Sequence, residues 1–580
     1  MSQPADATTT GLQNPNMLGR RRRLFALANL ALYAALVAWM ASLLRASGWT
    51  ALDGGILLCF MLVAPWPVLG CCNALLGLWL LHGARDGIAQ AAPYAMDDAA
   101  PLTAKTAIVM TLRNEDPARA FARLRAVAVS VARQGLAAHF DFFVLSDTSD
   151  LAIALAEEAA FANWRVAKMG GASRLHYRRR QANTGFKAGN LRDFCARWGE
   201  SYTFMLPLDA DSLMSGDTIA RMVRIGERHR QIGILQSLVV GAPASSAFAR
   251  LFQFGMRHGM RPYSLGSAWW SGDCGQFWGH NALVRIAPFM VHCELPLLAG
   301  KPILSHDQVE AALMRRAGFE VRVLPVESGS YEDNPPDLIE FSRRDQRWCQ
   351  GNMQYLRLLR WPGLLPTSRF QLAWAVAMFI GLPAFNLLLL LLALKAVDGA
   401  PAPPGARAFY WAFLVLLMLP KLAGFADAAL TKGGLARYGG AGRFAAGAVC
   451  ELTFSFLASA AVGFGTALFL VLLPFGTPLQ WHGQARDARG LTWAKALAQL
   501  WPASLFGLLL VALLAARAPG VLVWSLPYVA GLVLAVPAAV LSSRPEIGAR
   551  LRAAKICAIP EEFDPPEVLQ TLATLEGLRR

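Results

Sequence analysis

Apolar stretches long enough to cross a bilayer constrain this chain more than any other feature. One transmembrane helix needs about 20 consecutive apolar residues, and stretches of this kind occupy 24–44, 55–81, 371–394, 408–425, 497–515 and 521–542. Charged residues make up only 16% of the chain, whereas soluble proteins contain roughly 25%. We therefore expect an α-helical membrane protein with one long hydrophilic block at 82–370.

The apolar stretch 445–475 does not have the length of a single span. A helix rises about 1.5 Å per residue, so this stretch exceeds one crossing and is short for two. Basic loops at 426–444 and 476–496 flank it, and such loops are typical of the cytoplasmic side. We expect a tight hairpin of two short crossings, with an interfacial and re-entrant element as the alternative.

The arginines at 20–23 precede the first apolar stretch and place the N-terminus in the cytoplasm by the same rule. The predicted organisation is a cytoplasmic tail at 1–23, two transmembrane helices within 24–81, a cytoplasmic domain at 82–370, a transmembrane region of about six helices at 371–543 and a cytoplasmic tail at 544–580.

The net charge and the cysteines bear on three expectations: nucleic-acid binding, disulfide bonds and zinc binding. The formal net charge is +16, but the basic residues cluster beside apolar stretches and no nucleic-acid motif accompanies them, so nucleic acid is not an expected partner. The nine cysteines show no CxxC and no paired Cys/His spacing. Neither a disulfide framework nor a zinc site is expected.

The hydrophilic block alternates between strand and helix patterns. Short apolar runs at 107–111, 140–145 and 204–208 end in polar turns, and a helical pattern covers 118–134. This alternation predicts a mostly parallel, Rossmann-like α/β sheet, in which ligands bind at the carboxyl ends of the strands.

Acidic residues follow each of the three predicted strands. The first strand is followed by Glu115, the second by Asp147 and the third by Asp209-Ala-Asp211. Carboxylates brought to one edge of a sheet repel each other unless a cation or a ligand offsets their charge. A shared divalent cation bridging a diphosphate is one interpretation, and helix capping is the alternative for each turn taken alone.

Three further segments have a functional and a structural interpretation. The basic segment 177–194, with Lys187, suits a diphosphate or a solvated loop near anionic lipid. Asp307 suits a general base or a helix cap. Arg344, Arg347 and Trp348 suit a pyrophosphate and a sugar ring, or an anchor at the membrane interface.

These residues occur in the order Asp147, Asp209-Ala-Asp211, Ser305-His306-Asp307 and Arg344 to Trp348. The order resembles the processive membrane glycosyltransferases of family 2, which include cellulose, hyaluronan and chitin synthases. The segments 277–295, 303–321, 329–338, 343–352 and 432–440 are most similar to the glucans biosynthesis glucosyltransferase H family.

The resemblance implies a multi-pass bacterial inner-membrane enzyme with a cytoplasmic domain of the glycosyltransferase A type. It implies polymerisation of glucose from UDP-glucose into the linear β-1,2-glucan backbone of osmoregulated periplasmic glucans, coupled to export, with Mg²⁺ or Mn²⁺ as cofactor. The implied partners are UDP-glucose, the growing glucan, the bilayer and a periplasmic protein that modifies the glucan.

The resemblance also implies a role for individual residues. The implied UDP-sugar site consists of Asn114, Glu115, Asp147, Lys187, Gly189, Asn190, Asp209, Arg344 and Arg347. The implied catalytic set is Asp307 as base with Asp209, Asp211, Arg347 and Trp348, and Asp211 is the implied metal ligand. The implied acceptor contacts are Trp278, Gly279, His280 and Trp348. Residues 481–492 are similar in position to the gating loop of cellulose synthase.

Two alternatives remain open at the level of the sequence. One is a related family 2 synthase of another polysaccharide, since the linkage depends on how the acceptor is held. The other is a membrane transporter whose cytoplasmic carboxylates only cap helices.

Overall fold

The computed structural model describes residues 12–46, 48–95, 100–166, 174–399, 402–476 and 490–577. Within them, six helices are long and apolar enough to cross a membrane, or seven if one bent pair counts as a span. Most of 481–492, the segment compared with a gating loop, lies outside the described residues.

The described chain is mainly helical, with a sheet between its two helical membrane regions. The α-helices are α1 (Pro15–Ala46), α2 (Ala51–Val63), α3 (Pro65–His82), α4 (Gly87–Ala91), α5 (Pro117–Arg133), α6 (Leu151–Val166), α7 (Phe186–Trp198), α8 (Gly216–Arg228), α9 (Ala247–Ser271), α10 (Ile286–His292), α11 (Asp307–Arg316), α12 (Leu338–Met353), α13 (Pro366–Val397), α14 (Ala406–Leu430), α15 (Ala441–Leu472), α16 (Trp493–Arg517), α17 (Pro519–Val533), α18 (Ala535–Ser543), α19 (Pro545–Ala553) and α20 (Glu567–Leu575). The strands are β1 (Thr106–Leu112), β2 (Phe140–Ser146), β3 (Leu175–Arg179), β4 (Phe204–Leu208), β5 (Leu213–Met214), β6 (Ile232–Gly241), β7 (Ala282–Arg285) and β8 (Glu320–Glu332).

The first helix begins earlier than the apolar pattern indicates. α1 starts at Pro15, so the arginines at 20–23 are helical rather than part of a tail. Arg21 donates to the carbonyl of Gln90 at 2.9 Å, and Arg22 forms an ion pair with Asp273. These contacts fix the start of the membrane region to the soluble domain.

The stretch predicted as a hairpin is one continuous helix, so the hairpin prediction is wrong. α15 spans 32 residues and contains no proline, and its Gly463 packs against Leu382 instead of starting a turn. Contacts near both ends of α15 reach the soluble domain or its flanking helices. Gly447 packs against Phe254 of α9, and Thr466 Oγ1 donates to Asp345 Oδ2 of α12 at 2.8 Å.

The soluble domain contains one mixed sheet in the order β3-β2-β1-β4-β7-β6-β8-β5. The predicted α/β fold is confirmed, and the strands expected at 107–111, 140–145 and 204–208 are β1, β2 and β4. These strands run parallel to one another with β3, whereas β7 runs antiparallel to β4 and β6. β1 is buried along almost its whole length because helices cover both faces of the sheet.

Two hydrophobic cores hold the helices against the sheet. Leu124 and Val127 of α5 belong to one core, and Phe194 of α7 and Leu313 of α11 belong to the other. The C-terminal segment also packs on the domain: Val568 of α20 is fully buried in the core that contains α5. The chain after the last membrane helix is therefore part of the soluble domain's structure.

Candidate active site

A cavity opens at the edge of the sheet where β1, β2 and β4 end. The parallel register places Leu112 beside Ser146, and Met110 beside Leu208, so the polar turns after these strands face the same space. The residues that line the cavity are Thr111, Leu112, Arg113, Glu115, Asp147, Asn183, Phe186, Lys187, Asn190, Asp209, Ala210, Asp211, Trp278, Gly279, His280, Leu304, Ser305, His306, Asp307, Glu332, Arg344, Arg347 and Trp348.

All of the predicted site residues except Asn114 and Gly189 line this cavity. Asn114 has φ +61°, and its side-chain oxygen accepts hydrogen bonds from the backbone N–H groups of Ser149 and Asp150, each at 3.0 Å. Asn114 thus joins the turns after β1 and β2 instead of facing the cavity. Its neighbours Arg113 and Glu115 face the cavity.

The segment around Gly189 also differs from the prediction. Residues 186–198 form the helix α7, although the glycine and asparagine content of 177–194 argues against a plain helix. Gly189 has no space for a side chain because it packs against the carbonyl of Thr184. The close packing at Gly189 is therefore with its own chain. Asn190, in contrast, lines the cavity and donates to the carbonyl of Leu145 at 3.1 Å.

One end of the cavity is formed by a buried ion pair. Arg180 donates two hydrogen bonds, each 2.7 Å long, to the two carboxylate oxygens of Asp147. Arg178 forms an ion pair with Asp193 at 3.0 Å. Both guanidinium groups are therefore engaged with carboxylates of the domain.

The paired aspartates lie at the base of the cavity in a tight turn. The N–H of Asp209 donates to Ser212 Oγ at 3.1 Å, and the N–H of Ser212 donates to the carbonyl of Asp209 at 3.0 Å. Lys187 forms an ion pair with the carboxylate of Asp209. The ammonium group of Lys187 and the carboxylate of Asp209 therefore face the space next to Asp211.

Asp307 is the first residue of α11 and lies across the cavity from α7. A Cβ built on Gly279 would be 3.4 Å from Asp307 Cβ and 3.9 Å from Lys187 Nζ, so these residues surround one small space. The preceding residue, His306, donates a hydrogen bond from Nδ1 to the carboxylate of Glu310 at 3.0 Å. Burial opposes the charged form of His306, but the hydrogen bond and negative charge of Glu310 outweigh it and raise the pKa of the imidazole.

Helix α12 and the turn after it hold the loop that carries Asp307. Gly351 packs directly against Ser305, and Tyr355 donates its hydroxyl to the carbonyl of Ser305 at 2.7 Å. On the same helix, the guanidinium carbon of Arg344 lies 4.9 Å from the centre of the Trp348 ring. Trp348 is 46% exposed, so a flat apolar face remains available at the cavity mouth.

Glu332, at the end of β8, is the clearest residue that the sequence-based prediction missed. It lines the cavity and lies 3.5 Å from Nε2 of His280. The Nδ1 atom of His280 is 3.3 Å from Ser212 Oγ. The signal that indicated Asp147 and Asp209, an acidic residue directly after an apolar strand, is absent at Glu332, because residues 327–330 before it are Glu-Ser-Gly-Ser.

The donor set at the base of the cavity fits a cation that is shared with a substrate. In the described part of the chain, no group of three His, Cys, Asp or Glu side chains is arranged to hold a metal ion. Mg²⁺ is commonly bound by one or two carboxylates together with substrate phosphates and water. Asp211, with Asp209 beside it, matches that limited donor set.

The comparisons with known proteins agree with this geometry. Residues 204–420 match the family described as glycosyl transferase family group 2. A glucans biosynthesis glucosyltransferase H from Xanthomonas euvesicatoria pv. vesicatoria is 36% identical over 577 residues, which cover 94% of this chain and 88% of the relative. A protein of the same name from Caulobacter vibrioides is 38% identical, over 86% of this chain and 78% of the relative.

The chain belongs to the glucans biosynthesis glucosyltransferase H family. It is a hexosyltransferase of glycosyltransferase family 2 and a multi-pass membrane protein. The enzyme interpretation is therefore confirmed over that of a transporter with a non-catalytic domain. The segment that matches the family 2 model includes Asp209, Asp211, Asp307, Arg347 and Trp348.

A solved structure of a mannosyltransferase from Pyrobaculum calidifontis, in complex with GDP-Man and Mn2+, is also similar to this chain. The similarity covers 65% of this chain and 98% of that chain, with a TM-score of 0.39 and 15% sequence identity.

Proposed function

We propose that this enzyme transfers glucose from UDP-glucose to the end of a growing β-1,2-glucan and passes the chain across the membrane. Membership in the glucosyltransferase H family supports glucose and glucan as the chemistry. The observation that carries the proposal is the space around Gly279, where Asp307 faces the pair formed by Lys187 and Asp209. A base and diphosphate-binding groups would thus meet at one reacting centre.

The donor would extend along the edge of the sheet. The uridine end would lie near Glu115 and Asp147, and the diphosphate would lie near Asp211, Lys187 and Arg347. Guanidinium and ammonium groups bind diphosphate oxygens strongly. Trp348 would stack on the acceptor sugar at the cavity mouth, because an exposed indole offers a flat apolar face.

The reaction would proceed in a single displacement. The Asp307 carboxylate takes the proton of the acceptor hydroxyl, whose oxygen then forms a bond to the anomeric carbon. The bond from that carbon to the diphosphate oxygen breaks, and its electron pair leaves with UDP. Arg347 and Lys187 stabilise the charge on UDP. Attack from the opposite side converts the α-linked donor into a β-linkage.

A divalent cation, Mg²⁺ or Mn²⁺, would supply further positive charge against the diphosphate when bound at Asp211.

The location would be the bacterial inner membrane, with the catalytic domain in the cytoplasm. The C-terminal segment lies on the same side as the domain, because Gly548 packs against the backbone of Ser245 and Ala247. An even number of crossings must therefore separate domain and tail. We propose six crossings in total, with α15 lying along the membrane boundary and not across it.

The test is turnover by the purified enzyme in lipid nanodiscs with radiolabelled UDP-glucose and Mg²⁺. We expect release of UDP and a polymer whose linkage analysis shows β-1,2 bonds. Another linkage, or turnover only with another nucleotide sugar, would identify the related family 2 synthase of a different polysaccharide. Absence of both UDP release and incorporation would contradict the proposal.

A further inference from the structure

The turn that carries the paired aspartates is held from behind by α5. Arg123 of α5 is only 4% exposed, and its Nη1 donates to the backbone carbonyl of Asp211 at 2.9 Å. A charge-assisted hydrogen bond of this kind is stronger than one between neutral groups. The orientation of the Asp211 peptide, and with it the direction of the side chain, therefore depends on Arg123.

The same guanidinium reaches the opposite wall of the cavity. Arg123 Nη2 lies 2.7 Å from the carboxylate of Asp333, which Arg119 also contacts at 3.1 Å. Asp333 directly follows Glu332, which lines the cavity. Arg123 thus links the strand end after β4 to the strand end after β8, with its own charge balanced by Asp333.

A second contact of α5 holds the far end of the same turn. Ser130 Oγ accepts a hydrogen bond of 2.9 Å from the N–H of Gly216, where α8 begins. The same hydroxyl donates to the carboxylate of Glu567 at 2.9 Å, and Arg133 forms an ion pair with Glu567. Glu567 is the first residue of α20, so the C-terminal helix is joined to the aspartate turn through one buried serine.

We propose that α5 and α20 form a brace that positions the turn 209–216 for donor binding. In this brace, Arg123 is a positioning residue that acts through Asp211, and Glu567 acts more weakly through Ser130. This inference rests on the proposed function, since it assigns the brace to the donor's cation-bridged diphosphate. Groups that orient a metal ligand commonly change metal affinity about 10- to 100-fold when removed.

The experiment measures UDP binding by calorimetry to the full-length protein in nanodiscs, with and without Mn²⁺. For Arg123→Gln we expect a loss of affinity of about 10-fold with Mn²⁺ and little change without it. Arg123→Lys should lie between this variant and the wild type, because a lysine keeps the charge but cannot replace a two-pronged donor. Arg119→Gln is the matched control, since it loses a contact to Asp333 while the bond from Arg123 to the Asp211 carbonyl is kept, and it should bind UDP as the wild type does.

Glu567→Gln provides a second variant whose folding is less at risk, because the side chain is 40% exposed. We expect the Mn²⁺-dependent UDP affinity to fall by about 2- to 3-fold. This loss is smaller than the one expected for Arg123→Gln, because Arg123 contacts Asp211 directly. Wild-type affinity in both Arg123→Gln and Glu567→Gln would overturn the brace while leaving the proposed function standing. Failure of the wild type to bind UDP would overturn the proposed function and the brace together.

Discussion

A single glycine determines how closely the candidate base approaches the rest of the cavity. Gly279 has φ +79°, a conformation that side-chain-bearing residues rarely adopt, and its missing side chain leaves space next to Asp307. Gly300 has a similar φ of +74° but open space around it. Comparing the same substitution at the two positions separates the effect of backbone strain from the effect of crowding the site.

We expect Gly279→Ala to lower kcat/KM by at least about 10-fold, because the new methyl group enters the space between Asp307 and Lys187 in addition to straining the backbone by about 1 kcal/mol. Gly300→Ala should lose similar stability but keep its activity. Steady-state kinetics and thermal unfolding of both variants check this. Equal activity in the two variants would show that the space at Gly279 is not used by substrate.

Asp307 can be tested against an aspartate that has only a structural role. Asp307→Asn should reduce polymer formation by at least about 100-fold, the scale of a lost general base, while UDP still binds. Asp116→Asn is the control, because Asp116 caps α5 outside the cavity and asparagine caps helices equally well. Near-normal turnover by Asp307→Asn would eliminate it as the base.

The pair formed by His306 and Glu310 makes stability depend on pH. Because the folded-state pKa of His306 is raised, the pair's contribution is fully present below the ordinary histidine pKa of about 6.5 and is lost as pH rises through the folded pKa. Glu310→Gln should therefore destabilise the protein more at pH 5.5 than at pH 9. Thermal unfolding at both pH values measures this; an equal loss at both would show that His306 is not charged in the folded state.

At the level of elements, strand ends were predictable and helix α15 was not. An apolar run followed by a polar turn is a local signal, so β1, β2 and β4 and their acidic ends follow from the sequence. The conformation of 441–472 depends on packing, because its apolar character fits a crossing, a hairpin or a helix along the membrane boundary. The structure forms one continuous helix there, and its contacts with Phe254 and Asp345 involve residues that are distant in sequence.

Labelling of introduced cysteines tests the proposed path of α15. Gly442→Cys lies in the first turn of α15, Gly476→Cys lies just after its end, and Gly520→Cys lies in the first turn of α17. All three glycines are exposed. If α15 does not cross, the first two cysteines should react with a membrane-impermeant thiol reagent only in inside-out vesicles, and Gly520→Cys only in right-side-out vesicles. Opposite labelling of Gly442→Cys and Gly476→Cys would show that α15 crosses, and the wild type corrects for native cysteines.

At the scale of the whole molecule, the site is assembled from segments that are far apart in the chain. The types of residue in the site could be predicted because the proposed sugar transfer needs carboxylates, cations and an exposed aromatic ring in any fold. The residues that hold the site in place could not be predicted. Arg123 has the sequence context of any helix residue. Nothing local indicates that Glu567, 437 positions from Ser130, joins the same network. The side chain of Asn114 joins two turns, and the sequence does not distinguish this role from ligand binding because both favour the same polar side chains.

The proposed export involves the whole molecule, and it can be observed directly. With the proposed cytoplasmic orientation, the catalytic domain faces the medium in inside-out vesicles, so radiolabelled UDP-glucose added outside should yield polymer that collects inside the vesicles. We expect this polymer to resist an added β-glucanase until detergent opens the membrane, because only a chain that has passed between the helices is shielded. Asp307→Asn, which should make no polymer, provides the background. Polymer that is digested without detergent would separate synthesis from export and would confine the proposed function to the cytoplasmic domain.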